Sequence, residues 1–295
     1  MWPTNKILMI RPANFGYNTE TALTNSFQNI AAINDAKNAI HEFDHMVMLL
    51  QQHEIDVTVV PDTELPQKPD AIFPNNWFSM HQSKLCVLYP MLHPNRRIER
   101  RSDIIDLVCK NQEKRIDLSY LENQNLYLEG TGSLVIDHDY NVAYAALSPR
   151  TSIKALQVFE EKTGIKVISF TAFDRAQQPI YHTNVVMAVS SAVVVICLEV
   201  IPKIDQEKLM ISFKESKKEL IEISLQQLEN FAGNMLCLKN IKNQNFMLMS
   251  LTAYHSLNVV QINAIKKHHQ IMAIPIPTIE KIGGGSVRCM MAELF

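Results

Sequence analysis

SLVIDHDYNVAYA, residues 133–145, sets two apolar stretches on either side of a short polar break around His138–Asp139. That pattern reads as a hairpin, two antiparallel strands joined by a tight turn. Outward from it, strand-like runs recur: KILMIRP, IDVTVVPD, LCVLYP, KVISF, NFMLMSLTAY and IMAIPIP among them. Amphipathic segments at helical spacing separate them at 19–52, 98–114, 151–163, 205–231 and 256–269. A doubly wound fold alternates strand and helix strictly, and a hairpin inside the repeat breaks that alternation. The expected class is therefore α/β, with about five helices among ten or more strands in a repeat of strand, hairpin, helix and strand. No Pro/Gly/Ser-rich linker interrupts it, so residues 1–295 read as a single domain.

A chain of 295 residues buries about three quarters of its unfolded surface on folding, so core is not limiting. With 47% hydrophobic and 20% charged residues and a formal net charge of −2, it offers no broad basic field for phosphates or an anionic membrane. Nucleic acid and membrane are excluded as partners. The opening MWPTNKILMIRPANFG lacks the pattern of a secretory leader, no run reaches the roughly 18 apolar residues of a membrane span, and the expected location is the cytoplasm. Five cysteines, too scattered for a disulfide framework and without a C-x-x-C pair, suggest neither a metal nor a redox site. Cys86, Cys197 and Cys237 sit in strand-like runs and Cys109 in a helical one, where each reads as a small buried hydrophobe.

Four segments break the strand pattern with polar residues or glycine: DAIFPNNWFS (70–79), LEGTGS (128–133), YHTN (181–184) and GGGSVRC (283–289). The last holds three of the chain's eight glycines. A thiol after such a bend, at Cys289, sits where the backbone approaches a ligand closely and its N–H groups stabilise a thiolate or oxyanion. A cysteine nucleophile needs a proton-transfer partner, and His182, opening a long apolar strand, stands where a ring faces a cleft. Glu129 ends the apolar LYL run; read by itself it pairs with a cation, sits at a turn, or serves as an acid or base.

Together, Asp70 and Asn76, Glu129 in LEGTGS, His182 in YHTN and Cys289 in GGGSVRC resemble the guanidine-modifying enzymes, the superfamily of arginine deiminase, dimethylarginine hydrolase, agmatine deiminase and glycine amidinotransferase. The opening RPANFGYNTETALTNSFQ and the FPNNW segment look closest to the citrulline-utilisation hydrolases. The resemblance implies a pentein fold, an α/β propeller of about five ββαβ units with pseudo-fivefold symmetry around one site. It implies that Cys289 attacks the central carbon of a guanidino or ureido group, that His182 shuttles protons, and that Glu129 holds a substrate nitrogen or orients His182. A covalent S-linked intermediate follows, hydrolysed without metal or organic cofactor. The implied partner is a small amino-acid substrate, with a homodimer the expected assembly.

Arginine deiminase-like members carry acids where this chain has Asn76 and Asn184. Two carboxylates suit a cationic guanidinium, whereas amides suit a neutral ureido group with both C=O and N–H to satisfy. Citrulline is therefore expected over arginine, with Asn75, Asn76 and Asn184 contacting the substrate and Asp70 taking its α-amino group or another nitrogen. Arg11, Arg150, Arg175 and Arg288 compete to bind its carboxylate. Two other readings carry less: HEFDH at 41–45 matches the H-E-x-x-H of zinc hydrolases, with His41 and His45 as ligands and Glu42 as base, and a pentein scaffold serves elsewhere as a non-catalytic binding module.

Overall fold

The structure is a computed structural model and describes residues 3–30, 32, 34–110 and 113–295. Among these residues, fifteen strands form five three-stranded sheets. In chain order the strands are β1 (Lys6–Arg11), β2 (Asp56–Pro61), β3 (Phe78–His81), β4 (Leu85–Leu88), β5 (Lys114–Asp117), β6 (Val135–Asp137), β7 (Val142–Leu147), β8 (Lys166–Thr171), β9 (Met187–Val189), β10 (Val193–Ile196), β11 (Glu219–Glu222), β12 (Leu236–Lys239), β13 (Asn245–Ser250), β14 (Gln270–Ile274) and β15 (Ala292–Leu294).

Each sheet repeats one rule: a first strand pairs antiparallel with a middle strand, which pairs parallel with a third strand across a helical crossover. The hairpin predicted around His138–Asp139 is β6–β7, with Asp137 opposite Val142. The two ends of the chain share one unit. β15 pairs antiparallel with β1, Lys6 opposite Leu294, and β1 pairs parallel with β2. The ring of ββαβ units is thus closed by the last strand, the one that follows Cys289.

Middle strands read as continuous apolar runs because both of their faces are buried. Side chains alternate between faces, so Ile7 and Met9 enter one core cluster while Leu8 and Ile10 enter the next. Leu85 and Val87 divide from Cys86 and Leu88 in the same way, as do Phe246 and Leu248 from Met247 and Met249. The core is therefore distributed between neighbouring sheets around the ring.

Two expected helices are corrected. Of the segment 19–52, only Asp35–Gln52 is an α-helix; residues 18–28 form a covering strap in which Thr21–Leu23 makes a single 3-10 turn. Its polar side chains bond outward instead of continuing a helix: Asn18 Nδ2 and Thr21 Oγ1 donate to Asp70 at 2.8 and 3.0 Å, and Gln28 Nε2 donates to Gly283 O at 3.0 Å. The segment 205–231 is divided by β11 into the helices Lys203–Ser216 and Leu225–Glu229. No helix among the described residues is long and apolar enough to cross a membrane.

Candidate active site

The first strand of each sheet is preceded by a tight turn. Those turns carry Asn76 before β3, Glu129 to Ser133 before β6, His182 to Asn184 before β9, Asn234 before β12 and Cys289 before β15. The repeat thus brings one polar segment per unit to a common place. Asp70, Asn76, Arg96, Arg150, His182 and Cys289 line one narrow cleft there.

Cys289 is 4% exposed, and its Sγ accepts from two amides: Asn184 Nδ2 at 3.5 Å and Asn234 Nδ2 at 3.3 Å. The Asn234 amide is oriented because its Oδ1 accepts from Arg288 N at 3.0 Å, leaving Nδ2 for the sulfur and for Asn184 O. Two amide N–H groups thus point at the sulfur and hold it in place. Asn234 was absent from the sequence reading; the available signal was a Gly-Asn pair immediately before an apolar strand, the place the other site residues occupy.

The turn delivering Cys289 explains its glycines. Gly284 adopts φ +61°, and its carbonyl accepts from the Tyr181 hydroxyl at 2.5 Å and from Asn25 Nδ2 at 3.3 Å. A left-handed residue clamped by two donors from other segments has little room for a side chain.

His182 Nε2 lies 2.9 Å from Glu129 Oε2, with both side chains buried. Burial pushes the imidazole down to about 4, despite the opposing pull of Glu129. The ring is therefore neutral near pH 7, with Nε2–H donating to the carboxylate and Nδ1 left as an acceptor. For Glu129, burial by itself acts upward, but Arg150, the His182 hydrogen bond and Arg96 hold the carboxyl well below the usual carboxylate range. Its other oxygen accepts from Leu92 N at 3.1 Å. A fixed carboxylate orienting a neutral imidazole is the arrangement of a general base.

His81, His182 and His269 are all buried and all pushed down to about 4 from 6.5 by that burial. Each binds a proton more readily unfolded than folded. The stability they contribute is present above pH 6.5 and is lost as pH falls from 6.5 toward 4. Buried Glu99, pushed up to about 7, opposes them, as do Glu280 and Asp137, which burial also pushes up. The expected result is a melting temperature that drops by several degrees between pH 7 and pH 5 in scanning calorimetry; a flat or rising profile would contradict it.

Around the cleft, Arg96 donates to Glu99 through Nε and Nη2 at 2.9 and 2.8 Å and to Asn76 Oδ1 through Nη1 at 2.7 Å. Asn76 therefore presents N–H, one of which reaches Asn75 Oδ1 at 3.1 Å. Asp70 Oδ1, Asn75 Nδ2 and Asn184 Oδ1 are buried without a hydrogen-bond partner among the described residues. Arg150 stacks on the Tyr181 ring, 5.0 Å from its centroid, and contacts Glu129 at 3.4 Å.

Of the arginines expected to face the substrate, only Arg150 lines the cleft. Arg11 lies on the exposed end of β1, paired with Asp44 at 2.8 Å, and Arg175 pairs at the surface with Glu229. Arg288 precedes Cys289 on a tight turn, so the two side chains diverge: its guanidinium bonds Met291 O and Glu293, away from the cleft. Arg96 lines the cleft as well; its PNRR context gave only a helix-start signal. In the HEFDH segment, Glu42 accepts from Thr278 N and Ile279 N at 2.9 and 3.0 Å, capping the helix that leads to the glycine turn, while His41 and His45 are exposed.

The family described as N,N dimethylarginine dimethylhydrolase, eukaryotic, matches residues 11–295. The chain belongs to that family. Its members are hydrolases acting on guanidino C–N bonds, and the finer placement among citrulline hydrolases is not what the match names. No curated protein matches the sequence. Among solved structures, the chain is similar to the N-terminal domain of an ArgZ variant covalently bound to a reaction intermediate, at TM-score 0.77 and 16% identity over 98% of this chain and 97% of that one. It is similar also to whole ArgZ, an arginine dihydrolase from the ornithine-ammonia cycle in cyanobacteria, at 0.77 and 17% over 97% of this chain but 40% of that one. A dimethylarginine dimethylaminohydrolase variant bearing an adduct with S-methyl-L-thiocitrulline gives 0.67 and 15% over 98% and 99%. These likenesses agree with the pentein arrangement of five ββαβ units.

Proposed function

We propose that this chain hydrolyses a C–N bond of a ureido amino acid, with citrulline as substrate, through an S-carbamoyl intermediate on Cys289. The observation that carries the reading is the pair of amide donors on Cys289 Sγ beside a cleft that the His182–Glu129 pair also serves. His182, neutral and oriented by Glu129, takes the thiol proton; Sγ adds to the ureido carbon. The C–N bond to the ornithine amine breaks as His182 returns the proton, and water then adds to the carbon, expelling the thiolate. Ornithine and carbamate result, and the carbamate decays to carbon dioxide and ammonia.

Support for a neutral group comes from Asn76. Because Arg96 occupies its Oδ1, it offers an N–H, which satisfies a ureido oxygen and gives a guanidinium nothing to donate to. A second reading, arginine, is favoured by Asp70, whose buried unpartnered oxygen suits a cationic nitrogen, and by the likeness to an arginine dihydrolase. Dimethylarginine follows from the family's own name.

The deciding experiment supplies citrulline, arginine and dimethylarginine separately and scores ornithine, citrulline, ammonia and dimethylamine. Citrulline converted to ornithine at the highest kcat/KM is the expected result. Arginine turned over at least as well defeats the neutral-substrate reading and leaves the cysteine chemistry standing.

A further inference from the structure

Arg150 lines the cleft, yet most of its hydrogen bonds go to the strap at 18–28. Nη1 reaches Glu129 at 3.4 Å, but Nε and Nη2 donate to Thr24 Oγ1 at 3.1 and 2.8 Å, and Nη2 also donates to Thr21 O at 3.0 Å. Those bonds decide the direction of the next one. A hydroxyl has two lone pairs and one proton. Arg150 fills both lone pairs of Thr24 Oγ1, so that oxygen has only its proton to give. Two acceptors lie within reach, Thr21 O at 3.3 Å and His93 Nε2 at 3.0 Å. Thr21 O is already taken by Thr24 N at 3.1 Å and by Arg150. The proton therefore goes to His93 Nε2, which must be unprotonated, with the ring hydrogen on Nδ1. Burial, with Arg150 and Arg96 nearby, keeps that imidazole neutral by pushing it below 6.5 against the pull of Glu129 and Glu20.

We propose that His93 is a positioning residue of the cleft: by accepting the Thr24 hydroxyl it turns the Thr24 oxygen toward Arg150, and so holds both the strap and the guanidinium in place for the substrate. Its effect on turnover rests on the hydrolase reading above, whereas the latch itself does not. The local sequence puts His93 there. Pro94 opens the short helix Pro94–Arg97 and disfavours helical backbone at the residue before it, so His93 is extended, at φ −85° and ψ 127°. Just beyond, Arg96 enters the cleft and Asn95 clasps the strap a second time, its Nδ2 donating to Asn18 Oδ1 at 2.7 Å and its N to Glu20 Oε2 at 3.3 Å. Asn25 and Gln28 of the same strap line the cleft, so a strap released at Thr24 alters the cleft wall as well as Arg150. His93 itself is not among the cleft's lining residues. It acts through Thr24, on substrate binding rather than on bond breaking.

The test separates the acceptor from the ring. His93→Phe keeps a ring and removes the acceptor, while His93→Gln keeps an acceptor near the place of Nε2 and removes the ring. Hydrogen exchange over residues 18–28 and steady-state kinetics on the best of citrulline, arginine and dimethylarginine are followed in the full chain. The expected result for His93→Phe is strap exchange at least tenfold faster and KM raised about tenfold, with kcat within twofold; His93→Gln stays near wild type in all three. Unchanged strap exchange in His93→Phe overturns the proposal, and so does an equal loss in both variants, which would make the ring a filler. Faster strap exchange with KM unchanged overturns it too, since Arg150 would then keep its place without the latch. A measurement on the unaltered protein stands beside these: nitrogen NMR of labelled histidine at pH 7.5, with His93 assigned by its loss in His93→Gln, should show Nε2 unprotonated. A protonated Nε2 overturns the latch. Turnover of none of the three substrates removes the hydrolase reading instead, and strap exchange with the Nε2 signal then decides whether the latch stands.

Discussion

Cys289→Ser abolishes turnover, lowering kcat by about 10⁴-fold or more, while circular dichroism and melting temperature stay near wild type. Serine is nearly isosteric and keeps contact with Asn184 and Asn234, so packing is preserved. What is lost is the sulfur nucleophile, which an alcohol in the same place does not replace. Substantial activity in this variant would take Cys289 out of the mechanism. Alkylation separates reactivity from exposure. Cys109 is half-buried and the other four thiols are buried, so exposure by itself predicts that iodoacetamide labels Cys109 first. Activation predicts that Cys289 reacts at least as fast and that added substrate protects Cys289 alone. Peptide mass mapping with and without substrate distinguishes the two.

What the sequence disclosed follows from which physical signals are local. Middle strands such as KILMIR and NFMLMS are apolar on both faces, so their continuous runs were legible. Of the third strands, IDVTVVPD, KVISF and IMAIPIP were legible too, but KRID at 114–117 and ELIE at 219–222 were not, because they are short and carry charges at both ends, as suits sheet edges that resist further pairing. Cys289, His182 and Glu129 stood out because polar residues or glycines interrupt strand patterns around them. Arg96 has no such local mark, and the Gly233–Asn234 pair before β12 is only a faint one; their importance arises from what the ring brings against them, Asn76 in one case and sulfur in the other. The strap at 18–28 misled for a related reason: its threonines, asparagines and glutamine mimic a helix surface until the segments 70–76 and 283–284 are present to receive their hydrogen bonds. H-E-x-x-H matched a spacing that a surface helix satisfies for a different purpose, since Glu42 caps a neighbouring helix.

Gly132→Ala is expected to reduce kcat/KM by about 10²-fold, through displacement rather than loss of any reacting group. A methyl at this position would lie 2.5 Å from Asn76 Nδ2 and 2.7 Å from both Nδ1 and Cε1 of His182. Such distances force movement, and the atoms that must move are the imidazole and the amide themselves. His182 cannot retreat freely, since its Nε2 is tied to Glu129 and the ring sits 4.8 Å from that of Tyr181. Asn76 is likewise held by Arg96. The shift therefore appears as misaligned proton transfer, with Cys289 still present and still alkylated. Gly164→Ala supplies the comparison. Gly164 ends the helix Ile153–Thr163 at φ +73° with nothing within 4 Å of an added methyl, so the substitution strains backbone alone. It should cost on the order of 1 kcal/mol of stability and leave kcat/KM unchanged. If Gly132→Ala instead matched Gly164→Ala, losing stability but not activity, the close approach of His182 to that turn would have no part in the chemistry, and the glycines of LEGTGS would be needed for folding only.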